Sequence, residues 1–385
     1  MSMRIDQPWL HRSATQAVCA AVAAEGAQVF FVGGCVRNAL LGEPVSDMDI
    51  ATDATPEQVL ALAKRAGIKA VPTGIDHGTV TLIRDGIPHE ITTFRKDVAT
   101  DGRRAVVAFA SDIVEDARRR DFTMNAIYAR PDGEVVDPLG GMADLTRRRV
   151  RFIGTAENRI REDYLRSLRF FRFHAWYGDP EQGFDADALA AIAANLDGLQ
   201  SLSRERIGAE MLKLLGAPDP APAVAAMRQA GVLAQILPGT DDRALAPLVH
   251  LEGARPTSAL RRLAALGGEN LQDALRLSKA QAAHLARIRE AAVDTAGAAE
   301  LGYRLGAKAA LDAMLLRAAL LEQPVSPKLE TDIATGAAAV FPVRAQDLLP
   351  DLKGPALGRA LKQLEVDWVA SGFRLSREEL LRSLG

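Results

Sequence analysis

Two periods of apolar residues follow one another along the chain, and the change falls near Thr155. Before it, short β-branched runs at 28–32, 48–51, 79–84 and 88–93 predict strands, the last two joined as a hairpin through Asp85-Gly86. A helix is expected from Pro56 to about Ala66. Thr55 is placed to cap it, the proline suits its first turn and Gly67 stops it. A second helix is expected over 36–41, directly after Gly33-Gly34. The apolar stretch 17–24, interrupted by Glu25 and closed by Gly26, reads as a short helix and not as a signal core. Beyond Thr155, Ala, Leu and Arg recur at helical spacing in 185–196, 206–215 and 282–292. Breakers at 216–222, 237–239 and 323–327 divide this nearly all-helical remainder into short bundles.

A length of 385 residues implies more than one core. Charged residues make up 25% of the chain and the formal net charge is −2, so any contact with nucleic acid has to come from a local patch. One exists: residues 118–172 hold thirteen arginines, no lysine and eight acidic residues, a local excess of +5. Cys19 and Cys35 are too few for a disulfide framework and lack the spacing of a zinc site, which points to a reducing cytoplasm. No apolar run is long enough to cross a bilayer, so membrane insertion is not expected.

The candidate chemistry begins at Gly33-Gly34, between a predicted strand and a predicted helix. Such a turn lets backbone approach a phosphate, and the helix start offers free N–H groups; Arg37 adds a cation one turn in. A glycine pair alone is equally an ordinary turn. Twelve residues separate Gly34 from Asp47, and Asp47 and Asp49, two apart on a strand, share a face. Two such carboxylates suit Mg²⁺ bound together with substrate phosphates. Glu90, on the neighbouring hairpin strand, either completes a metal site or orients Arg95. Residues 118–126 place three arginines beside the buried-looking Phe122, Met124 and Ile127. Further on, Asp163 and Arg166 lie three apart on a predicted helical face, continued by Arg169 and Arg172, either as a surface ion-pair row or as a face turned to a ligand. Phe170, Phe171 and Phe173 between them read as core.

In this order, Gly33-Gly34-Cys35-Val36-Arg37, Asp47-Met48-Asp49, Glu90 to Arg95, Arg119 to Ala126, Asp137-Pro138-Leu139-Gly140-Gly141, Glu162 to Arg166 and Ser203 to Ile207 resemble the class II tRNA nucleotidyltransferases, the CCA-adding enzymes, and their relatives the bacterial poly(A) polymerases. The resemblance implies an α+β fold: a nucleotidyltransferase head with a small mixed sheet over 1–150, a helical neck for base recognition over 151–216, and a helical body and tail for tRNA over 217–385. It further implies that Asp47 and Asp49 bind Mg²⁺, with Glu90 the third catalytic acid. Gly33, Gly34 and Arg37 would hold the triphosphate, Arg120 and Asn125 secure the nucleotide, and Asp163, Arg166, Arg169 and Arg172 face its base. The implied partners are CTP, ATP and the acceptor and T arms of tRNA. Asn38 stands where the family commonly has aspartate, which leaves the support of Arg37 open.

Base chemistry supports the Asp–Arg pair independently. Cytosine and adenine each present an amino donor beside a ring-nitrogen acceptor, the pattern a carboxylate and a guanidinium match, whereas uracil and guanine present the reverse. The resemblance makes addition of C, C and A to tRNA without a nucleic-acid template the expected activity. Poly(A) synthesis, addition of CC or A alone, and a non-catalytic RNA-binding role are the alternatives. The polar segment 96–110 resembles the flexible loop with which complete enzymes switch from C to A, which favours the full activity.

Overall fold

The computed structural model describes residues 3–100, 105–349 and 351–384, in two compact units, Met1–Ile236 and Leu237–Gly385. In the first unit, α1 (Ser13–Ala23) precedes β1 (Val29–Val32), α2 (Gly34–Leu41), β2 (Asp49–Thr52), α3 (Pro56–Arg65), β3 (Lys69–Gly74), β4 (Thr79–Arg84) and β5 (Ile87–Thr93). The hairpin of β6 (Arg95–Thr100) and β7 (Ala105–Phe109) leads to α4 (Ile113–Arg118), the short strands β8 (Tyr128–Ala129) and β9 (Val135–Val136), and α5 (Gly141–Thr146). Helices α6 (Ala156–Glu162), α7 (Leu165–Tyr177), α8 (Ala186–Ala193), α9 (Arg204–Leu215), α10 (Ala221–Gln229) and α11 (Val232–Ile236) complete it. The fold is α+β, as the sequence implies.

Seven strands form one mixed sheet in the order β3-β4-β5-β2-β1-β8-β9, in which only β2 and β5 run parallel. That parallel pair sets Asp49 beside Glu90 in register. The all-buried pattern of β1 shows why its sequence does not alternate: both faces are covered. Phe31 meets Trp9 edge-on at 5.0 Å on the side packed by α1 and α3, while Phe30 packs with Phe94 and Tyr128 on the other.

Local chemistry sets the connections. Thr55 and Gln58 form a reciprocal capping box at the start of α3. The β4–β5 turn has Asp85 and Gly86 both at positive φ, as a tight hairpin requires. Helices α6 and α7 meet at a break, because Asp163 is extended (φ −155°, ψ 104°) and its Oδ1 accepts from Leu165 N at 3.1 Å. The row expected on one helix is thereby corrected. Arg166, Arg169 and Arg172 share α7, but Asp163 stands before it as a cap. Phe122, Phe152, Phe170 and Phe173 close the space between α7 and the sheet, with ring centroids 4.8–6.3 Å apart along the contacts Phe122 makes.

The segment 96–110, expected as a polar loop, is largely the β6–β7 hairpin, and its residues 101–104 lie outside the described ones. The second unit is helical throughout its described length, with one isolated bridge, Thr240 to Gly267. Its interior holds a buried ion cluster: Arg261 donates to Glu252 at 2.7 Å and to Asp312 at 2.6 Å, and Arg262 donates to Glu252 at 2.9 Å. His284 Nε2 lies 2.8 Å from Asp312. Among the described residues no helix is long and apolar enough to cross a membrane.

Candidate active site

Gly33 ends β1 at φ +73° and starts α2. A Cβ there would stand 3.7 Å from Arg120 Nη1, 3.8 Å from Asn125 Oδ1 and 4.0 Å from Asp49 Oδ2. The glycine therefore leaves open a space ringed by a cation, an amide and a carboxylate, at a helix N-terminus suited to phosphate. Gly34, the first residue of α2, sits over Arg37.

Asp47 is exposed just before β2, and Asp49 is partly buried at its first position. Burial, then the neighbouring negative charges of Glu90 and Asp47, push the Asp49 carboxyl up to about 6, with Arg120 acting in the opposite sense. A carboxylate that burial and two neighbouring acids push up, only partly offset by Arg120, fits a hard divalent cation. Among the described residues no three His, Cys, Asp or Glu side chains converge to cage an ion by themselves. Of the two roles expected for Glu90, orienting Arg95 is not supported by a hydrogen bond among the described residues; Arg95 Nη1 donates to the His77 carbonyl at 2.5 Å.

Arg37 is buried and heavily partnered. Its Nη1 donates to Asn125 Oδ1 at 2.8 Å and its Nη2 to the Tyr177 hydroxyl at 2.9 Å, and its guanidinium lies 4.0 Å from the Tyr177 ring centre. Asn38 Oδ1 accepts from Arg37 Nε at 3.2 Å and from Nη2 at 2.9 Å. An amide oxygen thus supplies the support that Asn38 left open. So held, Arg37 braces the turn between β1 and α2 against Tyr177 at the end of α7.

Arg120 is aimed by Asp116 and Tyr128. Its Nη2 donates to Asp116 Oδ2 at 3.0 Å and its Nε to the Tyr128 hydroxyl at 3.1 Å, while that hydroxyl donates to Asp116 at 2.7 Å. Burial alone would raise the Asp116 carboxyl, but the fields of Arg120 and Arg119 and the hydrogen bonds outweigh it and hold the group at about 2. Asn125 continues the network by donating to Asp121 Oδ1 at 3.2 Å. Asp121 Oδ2 accepts from Arg169 Nε at 2.6 Å, and Arg172 Nε donates to Glu210 at 2.5 Å.

Asp163 and Arg166 are held from different sides. Arg206 Nη2, from the first turn of α9, donates to Asp163 Oδ2 at 2.7 Å. Arg166 Nη1 donates to Glu162 at 2.5 Å and to the Arg159 carbonyl at 3.0 Å, and its Nη2 to the Arg119 carbonyl at 2.9 Å. One bonded network thus joins Arg37, Asn125, Asp121 and Arg169, with Arg120 and Asp49 on the same opening, while Asp163 and Arg166 have separate partners, Arg206 for the one and Glu162 with two backbone carbonyls for the other. Sequence reasoning passes over Asp116, Tyr128, Tyr177 and Glu210, and gives Arg206, within the Ser203 to Ile207 motif, no role. Only Asp116 carries a local signal, three and four residues before Arg119 and Arg120.

Comparison with known proteins bears on the same region. A family described as "Poly A polymerase head domain" matches residues 29–151, and one described as "Probable RNA and SrmB- binding site of polymerase A" matches 183–243. The mouse mitochondrial CCA tRNA nucleotidyltransferase 1 is 44% identical over 194 residues, 50% of this chain, and the chain spans 45% of that relative's length. The CCA-adding enzyme of Geobacillus thermodenitrificans is 36% identical over 325 residues, covering 79% of this chain and 77% of its own. The crystal structure of the Bacillus stearothermophilus CCA-adding enzyme in complex with CTP superposes with a TM-score of 0.79 at 30% identity, covering 95% of this chain and 94% of that one.

Proposed function

The chain belongs to the CCA-adding enzymes, class II members of the nucleotidyltransferase superfamily, and on that premise we propose that it adds C, C and A to the tRNA 3′ end from CTP and ATP without a template. The observation that carries this reading is the opening at Gly33, where Asp49, in register with Glu90, faces the Arg120 guanidinium. A nucleotide there has its phosphates between α2 and Arg120. The tRNA 3′-hydroxyl attacks the α-phosphorus in line, forming the new P–O bond as the bond to pyrophosphate breaks. Mg²⁺ held by Asp47 and Asp49, with Glu90 in support, would lower the hydroxyl's pKa and neutralise the departing charge when bound.

Asp163 accepts from the amino group of cytosine or adenine, and Arg166, whose Nε has no partner among the described residues, donates to the ring nitrogen. Arg169 and Arg172 hold α7 against Asp121 and Glu210. Arg37 and Asn125 steady the triphosphate side from beneath. The helical neck, and the body and tail from residue 217 onward, take the acceptor and T arms by shape and phosphate contacts. Both cysteines are buried and unpaired, which supports the cytoplasm as the setting.

Labelled tRNA ending at the discriminator base, incubated with CTP and ATP singly and together, tests the reading through product length. Two additions with CTP alone and three with both are expected. A long ladder with ATP alone would establish poly(A) synthesis instead, and a stop after CC with both nucleotides would establish the partial activity.

A further inference from the structure

Helix α4 ends in carbonyls that its own backbone cannot satisfy. Two consecutive ones, of Arg118 and Arg119, are taken by arginines from the neck. Arg159 Nη1 donates to the Arg118 oxygen at 2.8 Å, and Arg166 Nη2 donates to the Arg119 oxygen at 2.9 Å. Glu162 joins the two donors, with Oε1 accepting from Arg159 and Oε2 from Arg166. Cations at a helix C-terminus are favoured by the backbone dipoles, so an end cap would account for one such arginine. It does not account for a carboxylate bridging the capping arginine to a second one that has been assigned to the base.

The consequence lies in the peptide plane. The Arg119 carbonyl and the Arg120 N–H belong to one rigid unit, and a bond at either end fixes its tilt. Arg120 N donates to the Ala117 carbonyl at 3.1 Å, and Arg166 holds the opposite end. The plane that starts Arg120, whose side chain faces Gly33 and Asp49, is therefore set in part by Arg166.

We infer that Arg159 is a positioning residue that, through Glu162 and the carbonyls of Arg118 and Arg119, ties base reading by Arg166 to the placement of Arg120 at the triphosphate. This rests on the base-reading role proposed above. Arg166 keeps its Nη1 side on Glu162 and the Arg159 carbonyl, which leaves Nε for the base. Arg159 steadies the shared carboxylate from the other side. Without it Glu162 can turn, Arg166 loses its fixed heading, and the Arg118 oxygen loses a donor.

The test is steady-state incorporation of CTP and of UTP onto tRNA ending at the discriminator base, by the wild-type chain, Arg159→Ala, Arg159→Lys, Glu162→Gln and the double variant Arg159→Ala/Glu162→Gln. Arg159→Ala should lower the CTP-over-UTP ratio of kcat/KM by about tenfold, the size of one charge-assisted hydrogen bond, and raise KM for CTP several-fold. Arg159→Lys, which keeps the charge but not the two-way reach, should recover part of both. The double variant should be no less selective than the worse single one, because the two act as a unit. A ratio and KM at wild-type values, with kcat lowered or not, would overturn the inference, and where Arg159→Ala fails to fold, the lysine and glutamine variants decide it. Failure of the wild-type chain to add CMP would instead remove the functional reading beneath it.

Discussion

In the second unit, Glu252 and Asp312 are each about 2% exposed, and each meets a guanidinium at 2.6–2.9 Å. In the first, Asp49 lies beside Asp47 and Glu90, and its carboxyl is pushed up to about 6. The two clusters use the same residue types to opposite ends. Buried charges that are fully paired specify a fold, whereas like charges gathered at an opening wait for a ligand to compensate them. The arginines divide in the same way: Arg261 ends on protein acceptors buried around it, while Arg166 keeps its Nε without a protein partner among the described residues.

Several substitutions would break or sharpen this contrast. The largest effect is expected from Asp49→Asn, which should lower incorporation by about a thousandfold or more, since a metal-centred charge contributes several kcal/mol to the transition state. Its melting temperature should hold or rise, because an unpaired charge is removed. A variant with substantial residual turnover contradicts the assignment. Glu252→Gln should do the reverse, costing about 3 kcal/mol by removing the carboxylate that the buried Arg261 and Arg262 share, read as a drop in urea midpoint. Selectivity among nucleotides in the remaining folded protein should not move.

Asp116 tests the active-site scaffold by pH. Its carboxyl is held below its ordinary 3.8, at about 2, so the stability it contributes is complete above 3.8 and is lost as pH falls through 2. The shift corresponds to about 2 kcal/mol at neutral pH. Asp116→Asn should therefore be less stable than the wild-type chain at neutral pH, and the gap should narrow on acidification; a gap independent of pH would contradict the pairing. The smallest effect belongs to the exposed pair of Arg65 and Glu25, where Arg65→Ala should leave the melting temperature unchanged.

What the sequence discloses follows the range of the interactions. The Thr55 cap, the Asp85-Gly86 turn and β4 are local and legible in the sequence, as is the burial of Phe122, Phe170 and Phe171, though the Gln58 half of the capping box is not read there. Strand β3 is not legible, since Pro72 argues against a strand. It is tolerated because β3 lies at the sheet edge, where the register slips between Val71 and Gly74. Strands β8 and β9, two residues each, carry no period to detect. Within the site, the glycine turn and the carboxylates on adjoining strands are legible as a pattern. The contacts of Tyr177 with Arg37 and of Arg206 with Asp163 join residues 140 and 43 positions apart, and no local pattern announces them. Asp163 was expected on a helix because its spacing to Arg166 fits one; its side chain caps the backbone instead and breaks the helix there.

The claim that joins these observations is that Asp163 and Arg166 choose the base delivered to Asp47 and Asp49. Incorporation of CTP against UTP by Asp163→Ala measures it directly. The account predicts that turnover persists while UTP approaches CTP as a substrate, because the carboxylate that accepts from the amino group is gone. A variant that turns over CTP and still rejects UTP as the wild-type chain does would contradict it.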